Sequence, residues 1–401
     1  MPANDKRPND AVILSGARTP IGKFLGSLAS VPATRLGAVA VRAAVERAGI
    51  NPAEVDEVLF GQVVAAGSGL APARQVSVYA GIPAEVGAVT LNKACGSGLK
   101  AVMTAAQAVR AGDADLLVAG GMENMSALPH LAFVRQGARY GDQPMFDSAL
   151  HDGLMDPFEN WVMGNAAEFI AQEYEVTREA MDRFALASHQ KAVAAADAGK
   201  FKAEIAPVEL EVKGQKTVID ADETPRRDTS LDVLARLKPA FQKDGRVTAG
   251  NAPGLNDGAA AVVVASRAKA ERIGRAPLAR IVGYTSAAVE PKRVFIAPAY
   301  AIPRLLARIG WTLADVDLIE LNEAFAAQVL ADGYALADQG WDWSKVNVHG
   351  GAIALGHPVG ASGARVLVTL INALRDRGLK RGLASLCLGG GEAVAMAVEI
   401  E

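Results

Sequence analysis

Cysteine is scarce in this chain, since its 401 residues include two, Cys95 and Cys387. Two cysteines cannot form a disulfide framework, so we expect the protein to work in a reducing compartment. An excess of basic residues is also lacking, because the formal net charge is −3. This balance argues against nucleic acid as a partner. It still allows a local basic patch that binds a phosphorylated small molecule.

Long hydrophobic runs are missing as well. No segment reaches the roughly 18 consecutive apolar residues that a membrane-spanning helix needs. Residues 1–10 are polar and contain no apolar signal-peptide core. The last four residues match no peroxisomal or retention signal. We therefore expect no membrane span and a cytoplasmic location.

Apolar residues and glycine are abundant. Half of the residues are hydrophobic and 21% are charged, which is typical of a globular protein. A chain of 401 residues exceeds what one hydrophobic core usually serves, so we predict two or three packed units. The 40 glycines predict many tight turns and close backbone contacts.

Local patterns predict the elements of the first part of the chain. A helix is predicted over 34–48, with Thr34 as its N-cap and Gly49 as its stop. A second helix follows Cys95 and continues to about Arg110. Apolar runs bounded by turn signals predict short strands at 11–14, 55–60, 89–91 and 116–119, with a turn over 16–20.

The second half of the chain repeats this plan. Gly49 and Val55 correspond to Gly310 and Val316 with one constant offset of 261 residues. Two further similarities follow in the same order, pairing 96–102 with 361–367 and 120–123 with 390–392. These repeats predict two similar α/β domains. We assign 1–125 plus 253–278 to the first half and 279–401 to the second half.

A segment of different character, 126–252, separates the halves, and we call it the lid segment. It contains a long helical stretch over 178–198, polar loops, and the basic residues Arg139, Arg226 and Arg227. Long insertions near a site often carry substrate contacts. A contact between subunits is an equally good interpretation of its helices.

Cys95 stands where a predicted strand and turn meet a helix. A thiol at a helix N-terminus is near the positive end of the helix dipole, which favours its thiolate. Gly96 and Gly98 allow close approach of a ligand to the backbone. The alternative is a buried structural cysteine, since free cysteine is among the most buried residue types.

Further polar residues follow strands of the second half. Asn322 comes directly after the apolar strand 318–321, His357 precedes a predicted helix, and Cys387 lies near a strand end. Reactive residues gather at the carboxyl ends of parallel strands, so we expect these three and Cys95 to meet in one site. Each has an ordinary alternative: His349 and His357 as loop hydrogen-bond partners, Asn322 as a helix cap, and Cys387 as core.

The chain resembles the thiolase family over essentially its full length. The segments that carry the resemblance are 92–98, 250–259, 322–326, 350–358 and 387–391. The resemblance implies two duplicated α/β domains in a five-layered α-β-α-β-α arrangement, with the lid segment over the site. It also implies an acyl-CoA C-acetyltransferase that needs no metal or prosthetic group and uses coenzyme A thioesters as substrates.

The same resemblance implies a role for each matching residue. Cys95 would carry the acyl group as a thioester, His357 would take its proton, and Cys387 would be the acid and base of carbon–carbon chemistry. His357 and a water held by Asn322 would form one oxyanion hole. The backbone N–H groups of Cys95 and Gly389 would form the second.

Coenzyme A contacts are implied at Arg226, Met163, Pro253 and Phe325. The chain departs from the family pattern at Val162, at Pro253, and over 291–303 around Phe295. The last departure resembles the branch that degrades longer fatty acyl chains, whereas Asn322 resembles the short-chain branch. We expect acetyl-CoA and acetoacetyl-CoA, with longer 3-ketoacyl-CoA as the alternative.

Other functions also fit the sequence. A ketoacyl-synthase-type condensing enzyme shares the fold but uses histidine where this chain has Cys387. A non-catalytic acyl-CoA or lipid-binding protein is a third hypothesis, and a regulatory disulfide between Cys95 and Cys387 is compatible with all of them. The resemblance implies a homotetramer or homodimer, while the direction of the reaction is not encoded in these residues.

Overall fold

The computed structural model describes residues 7–212 and 214–401, so residues 1–6 of the predicted first half lie outside it. The strands are β1 (Ala11–Arg18), β2 (Gly22–Lys23), β3 (Glu57–Gly61), β4 (Gly87–Leu91), β5 (Leu116–Asn124), β6 (His130–Leu131), β7 (Phe146–Asp147), β8 (Met155–Asp156), β9 (Trp161–Val162), β10 (Val208–Val212), β11 (Gln215–Ile219), β12 (Asn256–Ser266), β13 (Ala279–Ala288), β14 (Leu318–Leu321), β15 (Arg381–Leu388) and β16 (Glu392–Ile400).

Helices cover much of the remaining chain. The α-helices are α1 (Ala33–Ala48), α2 (Pro72–Tyr79), α3 (Ser97–Ala111), α4 (Ser148–His151), α5 (Met163–Glu173), α6 (Arg178–Asp197), α7 (Leu231–Ala235), α8 (Arg267–Arg272), α9 (Ala297–Ile309), α10 (Ala326–Ala335), α11 (Ala352–Leu355) and α12 (Val359–Asp376). Short 3₁₀ helices lie at Pro52–Glu54, Lys200–Ala203, Pro291–Ile296, Leu313–Asp315, Ala337–Gln339 and Trp343–Lys345.

One sheet runs through both halves in the order β14-β15-β16-β13-β1-β12-β5-β3-β4, with β2 beside β12. The halves join where β1 meets β13 through two antiparallel residue pairs. Outward from this junction, β12, β5 and β3 of the first half match β16, β15 and β14 of the second half. Val346 bridges β14 at the place that β4 occupies beside β3. The predicted duplication is therefore confirmed by the strand order.

Helices α3 and α12 pack against each other between the two parts of the sheet. Their apolar faces and the inner faces of the strands form one buried core. The contact is close because a Cβ on Gly363 would lie 2.3 Å from the amide nitrogen of Leu99. Helices α1 and α2 cover the outer face of the first half, and α9 covers that of the second half. These are the five layers expected from the family resemblance.

The third sequence similarity is wrong in its alignment. Strand β5 pairs in parallel with β3, and β15 pairs in parallel with β14. Comparing the two registers makes Leu117 of the first half equivalent to Gly382 of the second half. The corresponding offset of 265 residues sets Glu123 opposite Leu388, within the strands. Gly390 and Gly391 lie instead in the turn after β15. The shared glycines belong to different structural positions.

Two predicted boundaries of the first half also need correction. The first three residues of the stretch 16–20 predicted as a turn are still strand, because β1 continues to Arg18. The Arg18 side chain is fully buried and is neutralised by ion pairs with Glu204 and Asp222 of the lid segment. Helix α1 begins one residue earlier than predicted, with Pro32 rather than Thr34 at its N-cap. Gly49 ends the helix in the left-handed conformation as expected, with φ 61°.

The lid segment contains three two-stranded sheets and helices α4 to α7. Helix α5 packs with α10 and the 3₁₀ helix Pro291–Ile296 in a core that also includes Cys387. The lid segment therefore rests on the second half close to the predicted site. The proposed boundaries at 125/126 and 252/253 stay a prediction. Within the described residues, no helix has both the length and the apolar character to cross a membrane.

Candidate active site

A cavity of about 400 Å³ opens where the two halves and the lid segment meet. Its wall includes the predicted catalytic residues Cys95, His357, Cys387 and Gly389, and the predicted coenzyme A contacts Met163, Pro253 and Phe325. Asn322 and Arg226 are not part of this wall. Seven of the nine predicted site residues thus surround one cavity, although they are distant in sequence.

Cys95 is held in a tight turn between β4 and α3. Ala94 has a left-handed backbone with φ 43°, a conformation that is unfavourable for a residue with a Cβ. The Asn92 side chain accepts a hydrogen bond from the Ala94 amide at 3.0 Å. The Ser97 hydroxyl donates to the Ala94 carbonyl oxygen at 2.7 Å. These bonds fix the turn and therefore the position of the Cys95 sulfur.

The backbone N–H groups of Cys95 itself and of Gly389 hydrogen-bond the Cys95 sulfur. Burial and, as a smaller contribution, the nearby Glu123 carboxylate nevertheless raise the pKa of the Cys95 thiol to about 11. The expectation of a favoured thiolate is therefore wrong. Desolvation outweighs the hydrogen bonds and the helix end, so the resting residue is a thiol that needs a base.

His357 has its tautomer set by Ser362. The Ser362 hydroxyl donates its one proton to the Pro358 carbonyl oxygen at 2.9 Å. The same oxygen lies 2.6 Å from His357 Nδ1 and so accepts a hydrogen bond from it. Nδ1 therefore carries the imidazole proton, and Nε2 has a free lone pair. Burial, together with the Arg365 charge, lowers the pKa of His357 to about 3, so the ring is neutral near pH 7.

Asn322 directly follows β14, as predicted, and is fully buried. Its amide Nδ2 lies 3.5 Å from His357 Nε2, which places a donor next to the free lone pair. Its Oδ1 is buried without a hydrogen-bond partner among the described residues. Asn322 therefore has an unused acceptor beside His357.

Cys387 lies near the end of β15 and is 1% exposed. Burial raises its pKa well above the ordinary value, and the neighbouring groups Cys95 and Asp332 add to the effect. The electrostatic coupling of the two thiols agrees with their position on one cavity wall. Cys387 is therefore a neutral thiol at rest and holds its proton firmly.

The remaining wall of the cavity is apolar. Phe325 stands edge-to-face against Phe295, with ring centroids 5.2 Å apart, and against Phe241 at 6.3 Å. A Cβ on Gly164 would lie 2.2 Å from the Phe241 ring, so the ring rests on that glycine. The three rings come from the lid segment and the second half. They offer contact area to an apolar group and few hydrogen bonds.

Two residues named in the sequence analysis lie away from this wall. The Arg226 side chain is exposed, and its backbone amide donates to His189 Nδ1 at 3.1 Å. His349 is buried with its ring against Phe201, at 6.1 Å between centroids. This position fits the ordinary interpretation of His349 as part of a packed loop.

Sequence reasoning missed Ser362 and Glu123 as members of the site. Ser362 occurs in the second repeat similarity, opposite Ser97, so the repeat contained a signal for a hydroxyl at both positions. Glu123 occurs at the end of the third sequence similarity, and no pattern in the sequence connects it with Cys95. Among the described residues, no cluster of three or more His, Cys, Asp and Glu could hold a metal ion.

Comparisons with known proteins identify the family of this chain. The family model of the thiolase N-terminal domain matches residues 11–268, and that of the C-terminal domain matches residues 275–400. An acetyl-CoA acetyltransferase from Cupriavidus necator is 56% identical over 97% of this chain and 99% of its own length. A probable acetyl-CoA acetyltransferase from Escherichia coli is 52% identical over the same shares.

Solved structures give the same result for the fold. The acetyl-CoA acetyltransferase of Bacillus anthracis superposes with a TM-score of 0.95 at 43% identity, over 98% of this chain and 99% of the other. The acetyl-CoA acetyltransferase of Syntrophomonas wolfei gives a TM-score of 0.96 at 43% identity, over 98% of this chain and 100% of the other. The likeness therefore extends over both halves and the lid segment.

Proposed function

The chain belongs to the thiolase family, and we propose that it is an acyl-CoA C-acetyltransferase. In the condensing direction, two acetyl-CoA molecules give acetoacetyl-CoA and free coenzyme A. Thiolysis is the reverse. The observation that carries the proposal is one cavity walled by Cys95, His357 and Cys387. Relatives of at least 50% identity with the name acetyl-CoA acetyltransferase support it.

In the first step, the Cys95 sulfur attacks the thioester carbonyl of acetyl-CoA while its proton moves to His357 Nε2. Since the thiol is protonated at rest, proton transfer and attack belong to the same step. The negative oxygen of the intermediate faces the N–H groups of Cys95 and Gly389, which now hydrogen-bond the sulfur. Coenzyme A leaves with the proton of the Cys387 thiol. The acetyl group stays on Cys95, and His357 keeps the proton that it took from Cys95.

In the second step, the Cys387 thiolate left by the first step takes a proton from the methyl group of a second acetyl-CoA and becomes a thiol again. The enolate oxygen that forms requires donors, and we assign this role to His357 with a water held by Asn322. The enolate carbon attacks the acetyl group on Cys95 and releases the Cys95 sulfur, which takes its proton back from His357. In thiolysis, the protonated form of Cys387 is the useful one, because it returns a proton to the departing carbon.

Acetyl transfer to Cys95 is the direct test. Incubation with labelled acetyl-CoA should place one acetyl group on Cys95, and Cys95→Ala should take up none. Cys387→Ala should still accept the acetyl group but should not form acetoacetyl-CoA. No labelling of the wild-type protein by any acyl-CoA would favour the non-catalytic alternative. Undiminished condensation in Cys387→Ala would contradict the role given to that thiol and the distinction from a ketoacyl-synthase-type enzyme.

The acyl chain length is a finer part of the proposal. Phe295 is 3% exposed, lines the cavity and packs on Phe325, so a short acyl group suits this wall. Thiolysis rates over 3-ketoacyl-CoAs of increasing length, compared between wild type and Phe295→Ala, test it. We expect acetoacetyl-CoA to be best in the wild type and longer chains to gain in the variant. A wild-type optimum at longer chains would favour the alternative role in fatty-acid degradation.

The remaining predictions concern binding and assembly. We propose that coenzyme A runs from the cavity along the lid segment, past Met163 and Pro253, with Arg226 near the adenine. Arg226→Ala should then raise KM for acetyl-CoA and leave kcat unchanged. We also propose a cytoplasmic homotetramer or homodimer, which light scattering of the purified protein would distinguish from a monomer.

A further inference from the structure

Glu123 is a buried carboxylate beside the active site that the proposed reaction does not use. It lies in β5 and is 0% exposed. Its oxygens accept hydrogen bonds from three backbone N–H groups: Val63 at 2.9 Å, Val64 at 3.2 Å and Gly360 at 3.0 Å. A buried carboxylate is costly unless it is hydrogen-bonded, and here the partners are backbone groups of two separate elements.

These three partners belong to different halves. Val63 and Val64 follow β3 in the first half, and the Val63 carbonyl oxygen accepts a hydrogen bond from Asn92 in the turn of Cys95. Gly360 is the second residue of α12 in the second half, three residues after His357. Glu123 therefore links the support of the nucleophile to the start of the helix that follows the base.

The backbones at this crossing are too close for side chains. A Cβ on Gly360 would lie 2.3 Å from the Met122 carbonyl oxygen, and one on Gly121 would lie 2.0 Å from the Gly360 carbonyl oxygen. The Glu123 side chain extends from near the end of β5 and accepts a hydrogen bond from the Gly360 N–H at the start of α12, one of the N–H groups that the helix itself cannot satisfy. The Glu123 carboxylate fills this place.

We propose that Glu123 is a positioning residue for acyl transfer: it holds the N-terminus of α12, and with it His357, at working distance from Cys95. The proposal rests on the function assigned above. Glu123 acts through the three backbone bonds and does not touch the substrate. Glu123 of the first half contacts the second half, and a second contact runs from the second half to the first. The backbone N–H of Gly389, directly after β15, hydrogen-bonds the Cys95 sulfur.

Two variants separate position from charge. Glu123→Asp keeps the charge but is one methylene shorter, so it cannot reach Val63 and Gly360 at once. Glu123→Gln keeps the length but turns an NH₂ group toward backbone N–H groups. The control is Asp56→Asn, because Asp56 accepts N–H bonds from Asp115 and Leu116 at the opposite end of the same strand.

The measurement is the single-turnover rate of Cys95 acetylation by acetyl-CoA at pH 8, with KM and kcat from steady state. A displacement of about 1 Å between reacting groups costs up to about 10²-fold in rate. We expect both Glu123 variants to acetylate Cys95 more slowly, by about tenfold to 10²-fold, with KM for acetyl-CoA unchanged. Asp56→Asn should acetylate at the wild-type rate even if it is less stable.

Acetylation of Glu123→Asp at the wild-type rate would overturn the proposal, as would an equal slowing in Asp56→Asn. Should Glu123→Gln fail to fold, Glu123→Asp decides the question alone. A wild-type protein that takes up no acetyl group would overturn the proposed function and this inference with it. A labelled wild type with normal Glu123 variants would overturn the positioning role only.

Discussion

The first and second halves share their strand order and central helix but differ in chemistry at equivalent positions. At each position where the second half has a reactive group, the equivalent position of the first half has a different residue. The offset of 265 residues sets Asn92 opposite His357, Cys95 opposite Gly360 and Met122 opposite Cys387, and the offset of 261 sets Gly61 opposite Asn322. The first half therefore supplies the nucleophile, and the second half supplies the base, the second thiol and the amide.

This difference explains how a duplicated fold makes one asymmetric site. Helices α3 and α12 begin at the same crossing, where Gly98 and Gly360 permit backbone contact. Each half sends one contact across: Glu123 to the start of α12, and Gly389 to the sulfur before α3. Because both halves contribute residues to the same cavity wall, a residue that differs between the two repeats gives the site a group from one half only.

Among the variants that exchange equivalent residues of the two halves, replacing the base His357 by asparagine should reduce the rate of Cys95 acetylation most. His357→Asn puts the residue of the first half into the second half and removes the free lone pair at Nε2. General-base catalysis contributes about 10²- to 10⁴-fold, and we expect a loss of this size in the rate of Cys95 acetylation. His349→Asn is the matched control, since His349 lies outside the cavity wall, and it should keep its turnover. An equal loss in both variants would contradict the assignment.

The pH dependence of Cys95 alkylation is the next test. The pKa of the thiol is raised to about 11, so the thiolate fraction below that pH grows by about tenfold per pH unit. Inactivation by iodoacetamide should therefore become about tenfold faster per unit between pH 7 and 9, with no plateau. Labelling of Cys95→Ala corrects for Cys387. A plateau near neutral pH would show that the helix end outweighs burial after all.

The fold was largely predictable because duplication leaves nearly constant offsets between equivalent residues. Offsets of 261 and 265 residues matched loops and helices correctly, and apolar strand runs identified the ends where Cys95, Asn322 and Cys387 lie. The glycine similarity after β5 failed, since glycine is required both in a close crossing and in a turn. The presence of glycine in the sequence does not by itself distinguish a close backbone crossing from a turn.

Other features depend on contacts that no local pattern reveals. The stretch ending at Arg18 resembles a turn, but it pairs with the distant strand β12 as far as Ala260. The Arg18 side chain forms ion pairs with Glu204 and Asp222. The pKa of Cys95 depends on desolvation and on the nearby Glu123, whereas the sequence shows only the helix end. Glu123 was equally hidden, because its partners are backbone groups rather than recognisable side chains.

Ser362→Ala should have a moderate effect on catalysis. Without the hydroxyl, nothing holds the imidazole proton on Nδ1, and Nε2 is no longer reserved as the acceptor. We expect acetylation of Cys95 to slow by about tenfold, comparable to the loss of one hydrogen bond of 1–2 kcal/mol. The measurement is the acetylation rate as a function of pH. A variant with wild-type rates at every pH would show that another group orients the ring.

Ser97, the equivalent serine of the first half, should matter for stability rather than for rate. Its replacement should have the smallest effect on the rate of Cys95 acetylation. Ser97 accepts from the Lys93 amide at 2.8 Å and donates to the Ala94 carbonyl oxygen, so it supports the turn and does not touch the base. Ser97→Ala should lower the free energy of unfolding by about 1–2 kcal/mol, measured by urea denaturation. Its rate of Cys95 acetylation should fall less than that of Ser362→Ala. The contrary result would be a slower Cys95 acetylation in Ser97→Ala with an unchanged free energy of unfolding. Both serines would then act on the chemistry, and the distinction between a structural serine in the first half and a catalytic support in the second half would be wrong.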